Sequence, residues 1–531
     1  MNKKKVIYSR RCGDYEADGI FYHDAKQCIY RFVFPELGDN ATLKTNILNR
    51  DSRYITNIFL SDNYLIRNGE IVLEIPNNLN IEILEFNFEG FEISKNEVFS
   101  KKSKIITYKL KDIYIPNYEN MPGSTWILPH LVVISKGYTI NGEYKKLFDS
   151  NEDMYLWLSK LLPRYSEQQE IKSICDEINK NNKTEKQKLE AALYWTQKNI
   201  RYIAFEDGIA GLRPEPIYRI LKKHYADCKG MSNLLYFIIK ELGSDARRCW
   251  VSTNHLAYSQ KFPSLASDNH MICAVKTDTG FIYLDATNKY SNLGEPIEYL
   301  QGRIVAIEDG DNIIFDTIAK NDFRNNQTRS IAEVRQDSGS LMIYRDIYYN
   351  GASKNNIKSI IYEYLGADKE KYIKSLIKGY SNNLYIDSIS FHDNLNNFNI
   401  YLEMKGGNIL FKQAGKIFVP LDIEYGSRLT PIDTNRNISF SFGYRQQKTY
   451  TTKFYLKDNQ HIAHLPKNTK LDFQGFGFQF SWKEEDKIVT YNKILDIKEL
   501  IIDKKDFKDW NIFVEEYNKL SNESIILNED Q

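Results

Sequence analysis

Between residues 225 and 285 the sequence sets three reactive side chains at the ends of regular elements, and this spacing narrows what the chain can fold into. Asp227 is a good helix N-cap residue, because a carboxylate accepts from the N–H groups that a helix start leaves unpaired. Cys228 follows it, and Met231, Leu234, Leu235, Ile238 and Ile239 then recur at helical spacing. Gly243 stands where a helix ends in the left-handed conformation, so a helix is expected over residues 228–242. His270 opens the apolar run Met271-Ile272-Cys273-Ala274-Val275, and Phe281-Ile282-Tyr283-Leu284 leads to Asp285. Thr277-Asp278-Thr279-Gly280 supplies a hairpin turn between the two strands. A two-residue loop at Thr277-Asp278 sets His270 directly opposite Asp285. A loop at Asp278-Thr279 instead leaves Asp285 two residues from that position, on the same face. Either register makes the imidazole and the carboxylate neighbours.

The chemistry needs this order. A thiol attacks as its thiolate, and a helix N-terminus favours negative charge. An imidazole is the usual base for such a thiol, and a carboxylate behind it holds ring and charge in place. The backbone N–H of Cys228 would face a developing oxyanion. Taken singly, Cys228 reads as a small core residue, His270 as a strand histidine and Asp285 as a turn residue; the order of the three carries the functional reading. Other candidates compete poorly. Cys249 and Cys273 lie inside apolar strands, and Cys175 lies in a polar helix. His224 is four residues before Cys228 and is a minor candidate to approach the site. His461 and His464 lack an acidic or thiol partner at ligand spacing.

Six cysteines without a C-x-x-C pair do not suggest a disulfide framework or a zinc site; Cys249 and Cys273 could meet on neighbouring strands but read better as core thiols. No phosphate-binding loop, G-x-S-x-G elbow or paired-carboxylate pattern occurs, so no metal or other cofactor is expected. With 71 basic and 70 acidic residues, no overall field draws the chain to nucleic acid. No run of about 18 apolar residues occurs, so no transmembrane segment is expected. Lys3-Lys4-Lys5 is followed by no apolar stretch, so no leader is visible in this chain.

The 531 residues fall into three expected parts. Residues 1–148 read as short strands with turn clusters between them, a sandwich-like domain. Residues 149–320 mix helices (152–162, 168–180, 184–199, 217–223, 228–242) with strands, and are the expected catalytic core. Residues 321–531 return to strands, with one long surface helix over 355–378. The aromatic alternation of residues 473–480 reads as a half-buried strand rather than a ligand platform. The fold class is α+β.

Tyr225-Ala226-Asp227-Cys228-Lys229-Gly230-Met231 resembles the nucleophile motif of the bacterial transglutaminase-like superfamily. Asp268-Asn269-His270-Met271-Ile272 and Tyr283-Leu284-Asp285-Ala286-Thr287 resemble its His and Asp motifs, and residues 199–206 resemble the stretch leading into its core. The resemblance implies a papain-like core between two mainly antiparallel β domains of unknown function. It also implies a catalytic triad of Cys228, His270 and Asp285. A second oxyanion donor is often an upstream aromatic or amide side chain, which makes Trp195, Gln197 and Tyr202 candidates beside plain core packing. The implied activity is thiol-dependent acyl transfer on a peptide or protein amide, by hydrolysis or by transglutaminase-type transfer. The alternative is an inert envelope binding or scaffold protein with a vestigial core. Members of this architecture commonly carry an export signal and a longer first domain, so an exported, periplasmic location is the expectation if a leader precedes Met1. Specificity is expected in the loops 206–216 and 254–268.

Overall fold

Alternation of apolar and polar residues explains the first strands. In Ser103–Ile113 the side chains of Ile106, Tyr108 and Leu110 are buried while Lys109 and Lys111 face solvent. This strand lies between Ile66–Pro76 and Glu92–Phe99 in an antiparallel sheet. A second sheet forms around His130–Ile140, which pairs with Leu79–Phe86, Asn57–Phe59 and Glu143–Lys146. Leu60, Ile106, Tyr108, Leu110, Ile113 and Leu131, drawn from both sheets, make one apolar cluster, so the sheets pack face to face. The computed structural model describes residues 8–14, 20–22, 26–34, 36, 38, 44–61, 64–166, 169–205, 211–295, 297–337, 339–365, 368–380, 383–394, 397–420, 422 and 428–530.

Next comes a five-stranded antiparallel sheet in the order Gly280–Leu284, His270–Thr277, Ala246–Val251, Ile304–Asp309, Asn312–Thr317. The helix Cys228–Glu241 packs on its strands His270–Thr277 and Ala246–Val251 and is buried continuously from Gly230 to Ile239. Helices Gln169–Asn181 and Glu185–Asn199 also pack on it. The second of these begins in a capping box, with Thr184 and Gln187 satisfying each other's backbone N–H groups. Polar ties fix the depth of the central helix. Ser232 Oγ donates to the Met271 carbonyl at 2.7 Å. The buried Arg248 donates to Asn233 Oδ1 at 2.9 Å and makes a two-pronged pair with Glu308 at 2.8 Å. The helix ends at Gly243, whose φ of 93° is open to glycine at no steric cost.

Residues 1–116, 123–289 and 302–318 form one compact unit, so the sandwich and the core helices and sheet share it; residues 117–122, 290–301 and 319–531 form another. The second unit is built on an eight-stranded sheet running from Leu384–Asp393 at one edge to Thr469–Asp472 at the other. Its pairings are antiparallel except between Gln327–Asp337 and Gln446–Tyr455. The helix Phe507–Ser521 lays Phe513 and Tyr517 against Phe476, Phe478 and Phe480 of the strand Phe476–Glu485. The aromatic alternation of that segment is therefore core packing.

Two expectations are corrected. Residues 355–378 are not one helix: Gly351–Ser359 gives way to a wider π-type turn over Ile360–Leu365, and Lys369–Tyr380 follows. The wider turn re-phases the apolar face and lets Ile361 enter the core. Residues 366 and 367, at the join, lie outside the described residues. The cysteines also hold a disulfide, Cys12–Cys28, which forms because Tyr8–Asp14 and Lys26–Phe32 pair with these two residues directly opposite. Cys249 and Cys273 remain free: Cys249 stands opposite Ile272 and Cys273 opposite Arg248, a one-residue offset that points the two thiols to opposite faces. Cys175 lies on the buried side of an amphipathic helix with Ile171, Ile174 and Ile178.

Phe480 is wholly buried among Phe478, Trp482, Tyr491 and Tyr517. Phe480→Ala is expected to cost about 3–5 kcal/mol in denaturant unfolding, and a loss under about 1 kcal/mol would mean that the stripe is not the core of that unit.

Candidate active site

The hairpin register decides which residues meet. Thr277 pairs with Gly280 and Cys273 with Leu284, so the two-residue loop is Asp278-Thr279. Of the two registers left open by the sequence, this is the one that sets Asp285 diagonal to His270. The diagonal is short enough for a hydrogen bond of 2.7 Å between His270 Nε2 and Asp285 Oδ2. Asp285 is buried, and its other oxygen accepts from the Thr287 backbone N–H at 2.9 Å and from the Thr287 hydroxyl at 2.6 Å. The carboxylate is thus held from both sides. Cys228 lies beside the imidazole and helps hold its charge.

Burial works against a charged imidazole here. The charge and hydrogen bond of Asp285, with the contact to Cys228, outweigh it and push His270 up to about 10. Cys228 is the first residue of its helix and half-buried. Asp227 caps the helix by accepting from the Gly230 N–H at 2.8 Å and also pairs with Lys229. Gly230 is required by close approach: a Cβ there would lie 2.8 Å from the Ala226 side chain. The short strand Tyr225–Ala226, immediately before the cap, pairs with Arg201–Tyr202 and fixes where the helix begins.

Cys228 and His270 open onto a cleft of about 470 Å³. Met154, Leu158, Leu212, Trp250, Leu265 and Met271 make it largely apolar, and Asp227, Lys229, Asp268 and Asn269 add polar groups. Of the three upstream oxyanion candidates, Tyr202 lines the cleft; Trp195 and Gln197 do not, and Gln197 donates to the Asn288 carbonyl at 2.9 Å. His224 is an exposed residue in the left-handed conformation at the end of Ile217–Lys223, away from the cleft lining. The loop 254–268 contributes Ser264, Leu265 and Asp268. The other expected specificity loop contributes Gly211 and Leu212, while its residues 206–210 lie outside the described residues. Tyr54 and Thr56 also line the cleft. No motif marked them, because they arrive from the sandwich through tertiary packing. Trp250 likewise had no signal beyond its place in an apolar strand. Among the described residues, no group of three or more His, Cys, Asp or Glu is placed to hold a metal ion, and no helix is long and apolar enough to cross a membrane.

Residues 172–286 match the model of the transglutaminase-like superfamily. That segment carries the transglutaminase-like core, with strand-rich regions on either side. The match contains Cys228, His270 and Asp285 and ends just after the last of them. Residues 415–527 match a domain of unknown function with solved structure, DUF3858. The fold is similar to the crystal structure of a proposed protease from Parabacteroides distasonis, at a TM-score of 0.55 and 12% identity, over 89% of this chain and 74% of that one. At that identity the likeness concerns fold alone. No curated protein matches the chain.

A raised imidazole stabilises the fold while it stays protonated. For His270 the contribution is complete below its unfolded pKa of about 6.5 and disappears as pH rises through about 10. Asp285→Asn should remove most of it, so the variant's thermal stability should fall less steeply than the parent's between about pH 7 and 10. Parallel stability curves would mean that Asp285 does not hold the charge on His270.

Proposed function

We propose that this chain is a thiol-dependent acyl-transfer enzyme acting on peptide or amide bonds, with Cys228 as nucleophile, His270 as base and then acid, and Asp285 as the orienting carboxylate. The observation that carries the reading is Cys228 at a helix N-terminus beside the hydrogen-bonded His270–Asp285 pair, on an apolar cleft. In the first step His270 holds the thiol proton, and Cys228 Sγ adds to the amide carbonyl carbon. The oxyanion collects next to the Cys228 N–H, and Tyr202, the one of the three upstream candidates that lines the cleft, is the candidate second donor. His270 passes its proton to the leaving nitrogen, the C–N bond breaks, and a thioester remains. Water, activated by His270, then releases an acid; an incoming amine would instead give a new amide. Asp285 stays ionised throughout and stabilises the imidazolium. Hydrolysis is the preferred outcome.

The test compares thiols within the chain. Burial pushes Cys175 and Cys273 up to about 12 and Cys249 well above the usual thiol range. Iodoacetamide at about pH 6 should therefore label Cys228 first, as read by peptide mass spectrometry, and His270→Ala should slow that labelling. Cys228 labelling no faster than the buried thiols would leave a binding or scaffold protein as the better reading.

With a substrate in hand, Cys228→Ser should abolish turnover while leaving the melting temperature within a few degrees. His270→Ala should cost about 10²–10⁴-fold and Asp285→Asn less. Incorporation of a labelled amine would separate transfer from hydrolysis.

A further inference from the structure

The cleft holds a carboxylate that the three-residue chemistry leaves unused. Asp268 lies two residues before His270 and lines the same cavity. Its oxygens are held by neutral donors: the Tyr155 hydroxyl donates to Oδ2, and Gln260 Nε2 reaches Oδ1 at 3.4 Å. Gln260 is itself fixed to the Trp250 carbonyl at 3.0 Å. The positive groups nearby make their direct bonds elsewhere, although the charge of Arg303 still acts on Asp268. Lys229 pairs with Asp227, His270 pairs with Asp285, and Arg303 spends its Nη2 on the carbonyls of Thr253 and Leu256. Among the described residues, none forms an ion pair with Asp268. A carboxylate facing a largely apolar cleft, hydrogen-bonded to neutral donors and acted on by Arg303 without a direct ion pair, is held less well than a directly paired anion. Burial accordingly pushes Asp268 up to about 7, against the smaller opposing pull of Tyr155, Gln260 and Arg303.

We propose that Asp268 is a specificity-determining residue that receives an ammonium group carried by the acyl part of the amide substrate. The inference rests on the reading of Cys228 as the nucleophile. It deepens that reading by naming the substrate class: amides with a positive charge close to the scissile carbonyl. The positive charge would complete the Asp268 environment in a charge-assisted hydrogen bond, while the apolar walls take the aliphatic part of the same residue. Two sources supply such a group, a lysine-like side chain and a free α-amine. Their recognition chemistry is shared.

The experiment needs no known substrate. Three chloromethyl ketones are compared for alkylation of Cys228, each rate divided by that reagent's rate with glutathione. N-acetyl-norleucyl is neutral, N-acetyl-lysyl carries a side-chain ammonium, and norleucyl carries a free α-ammonium. At about pH 7.5 a cationic reagent should exceed the neutral one by about tenfold. A faster lysyl reagent identifies a side chain as the source, and a faster norleucyl reagent a free amine. The lysyl preference should rise from about pH 6 to 8, as Asp268 ionises while Lys229, Arg303 and His270 keep their charge.

Asp268→Asn should bring the ratio close to one, and Asp268→Glu should restore part of it. A role only in holding Tyr155 and Gln260 would slow all three reagents alike and leave the ratio standing, which would overturn the proposal. If Asp268→Asn does not fold, the unmodified protein decides, through its own ratio and the pH dependence of that ratio. Equal normalised rates there overturn the assignment of Asp268 alone. Failure of every reagent to alkylate Cys228 overturns both this inference and the nucleophile reading.

Discussion

Burial of the helix Cys228–Glu241 against the antiparallel sheet is the constraint on which the site depends. An apolar helix enclosed from Gly230 to Ile239 has little freedom to slide or rotate, because each shift would open cavities or strand the Ser232 and Asn233 hydrogen bonds. Its first residue is consequently held at a set height over the strand that begins at His270. Packing at Gly230 sharpens this. At Gly230 the helix start approaches the Ala226 side chain so closely that a Cβ would not fit between them. The Cys228 thiol gains its position from interactions made one to three turns away along the helix.

The electrostatics follow from that rigidity. Asp285 and His270 are both largely withdrawn from water, where either charge alone would be costly. They offset one another at 2.7 Å, and the Thr287 hydroxyl and N–H keep the carboxylate from turning away. Asp268, two residues before His270, differs: its direct bonds are to neutral donors, and Arg303 acts on it through charge alone. Two carboxylates of the same region are thereby separated by their surroundings: one is tied directly to His270, and the other is held by neutral donors at the cleft.

Much of this was legible in the residues. The cap at Asp227, the apolar spacing after Cys228 and the turn before Phe281 are local signals, and local signals survive without knowledge of the rest of the chain. The hairpin argument placed His270 and Asp285 on one face before the register was known, since a shift of two residues preserves the face. Where the sequence misled, the cause was long-range. The residues 355–378 keep helical spacing throughout, but the core takes Ile361 only after a widened turn. Cys12 and Cys28 are ordinary residues until two strands bring them opposite each other.

The sequence by itself determined the type and order of the elements around the thiol, and with them the three residues proposed to react, because helix caps, apolar periodicity and turn chemistry act over a few residues. Only the tertiary structure decided the register of the hairpin, the choice of Tyr202 over Trp195 and Gln197 as a cleft residue, and the walls supplied by Tyr54, Thr56 and Trp250. It also decided that Asp268 faces the cleft with no direct ion pair among the described residues. Whether a carboxylate is directly paired depends on where side chains such as Arg303 make their own bonds, and that follows from packing across the whole unit rather than from neighbours in the chain.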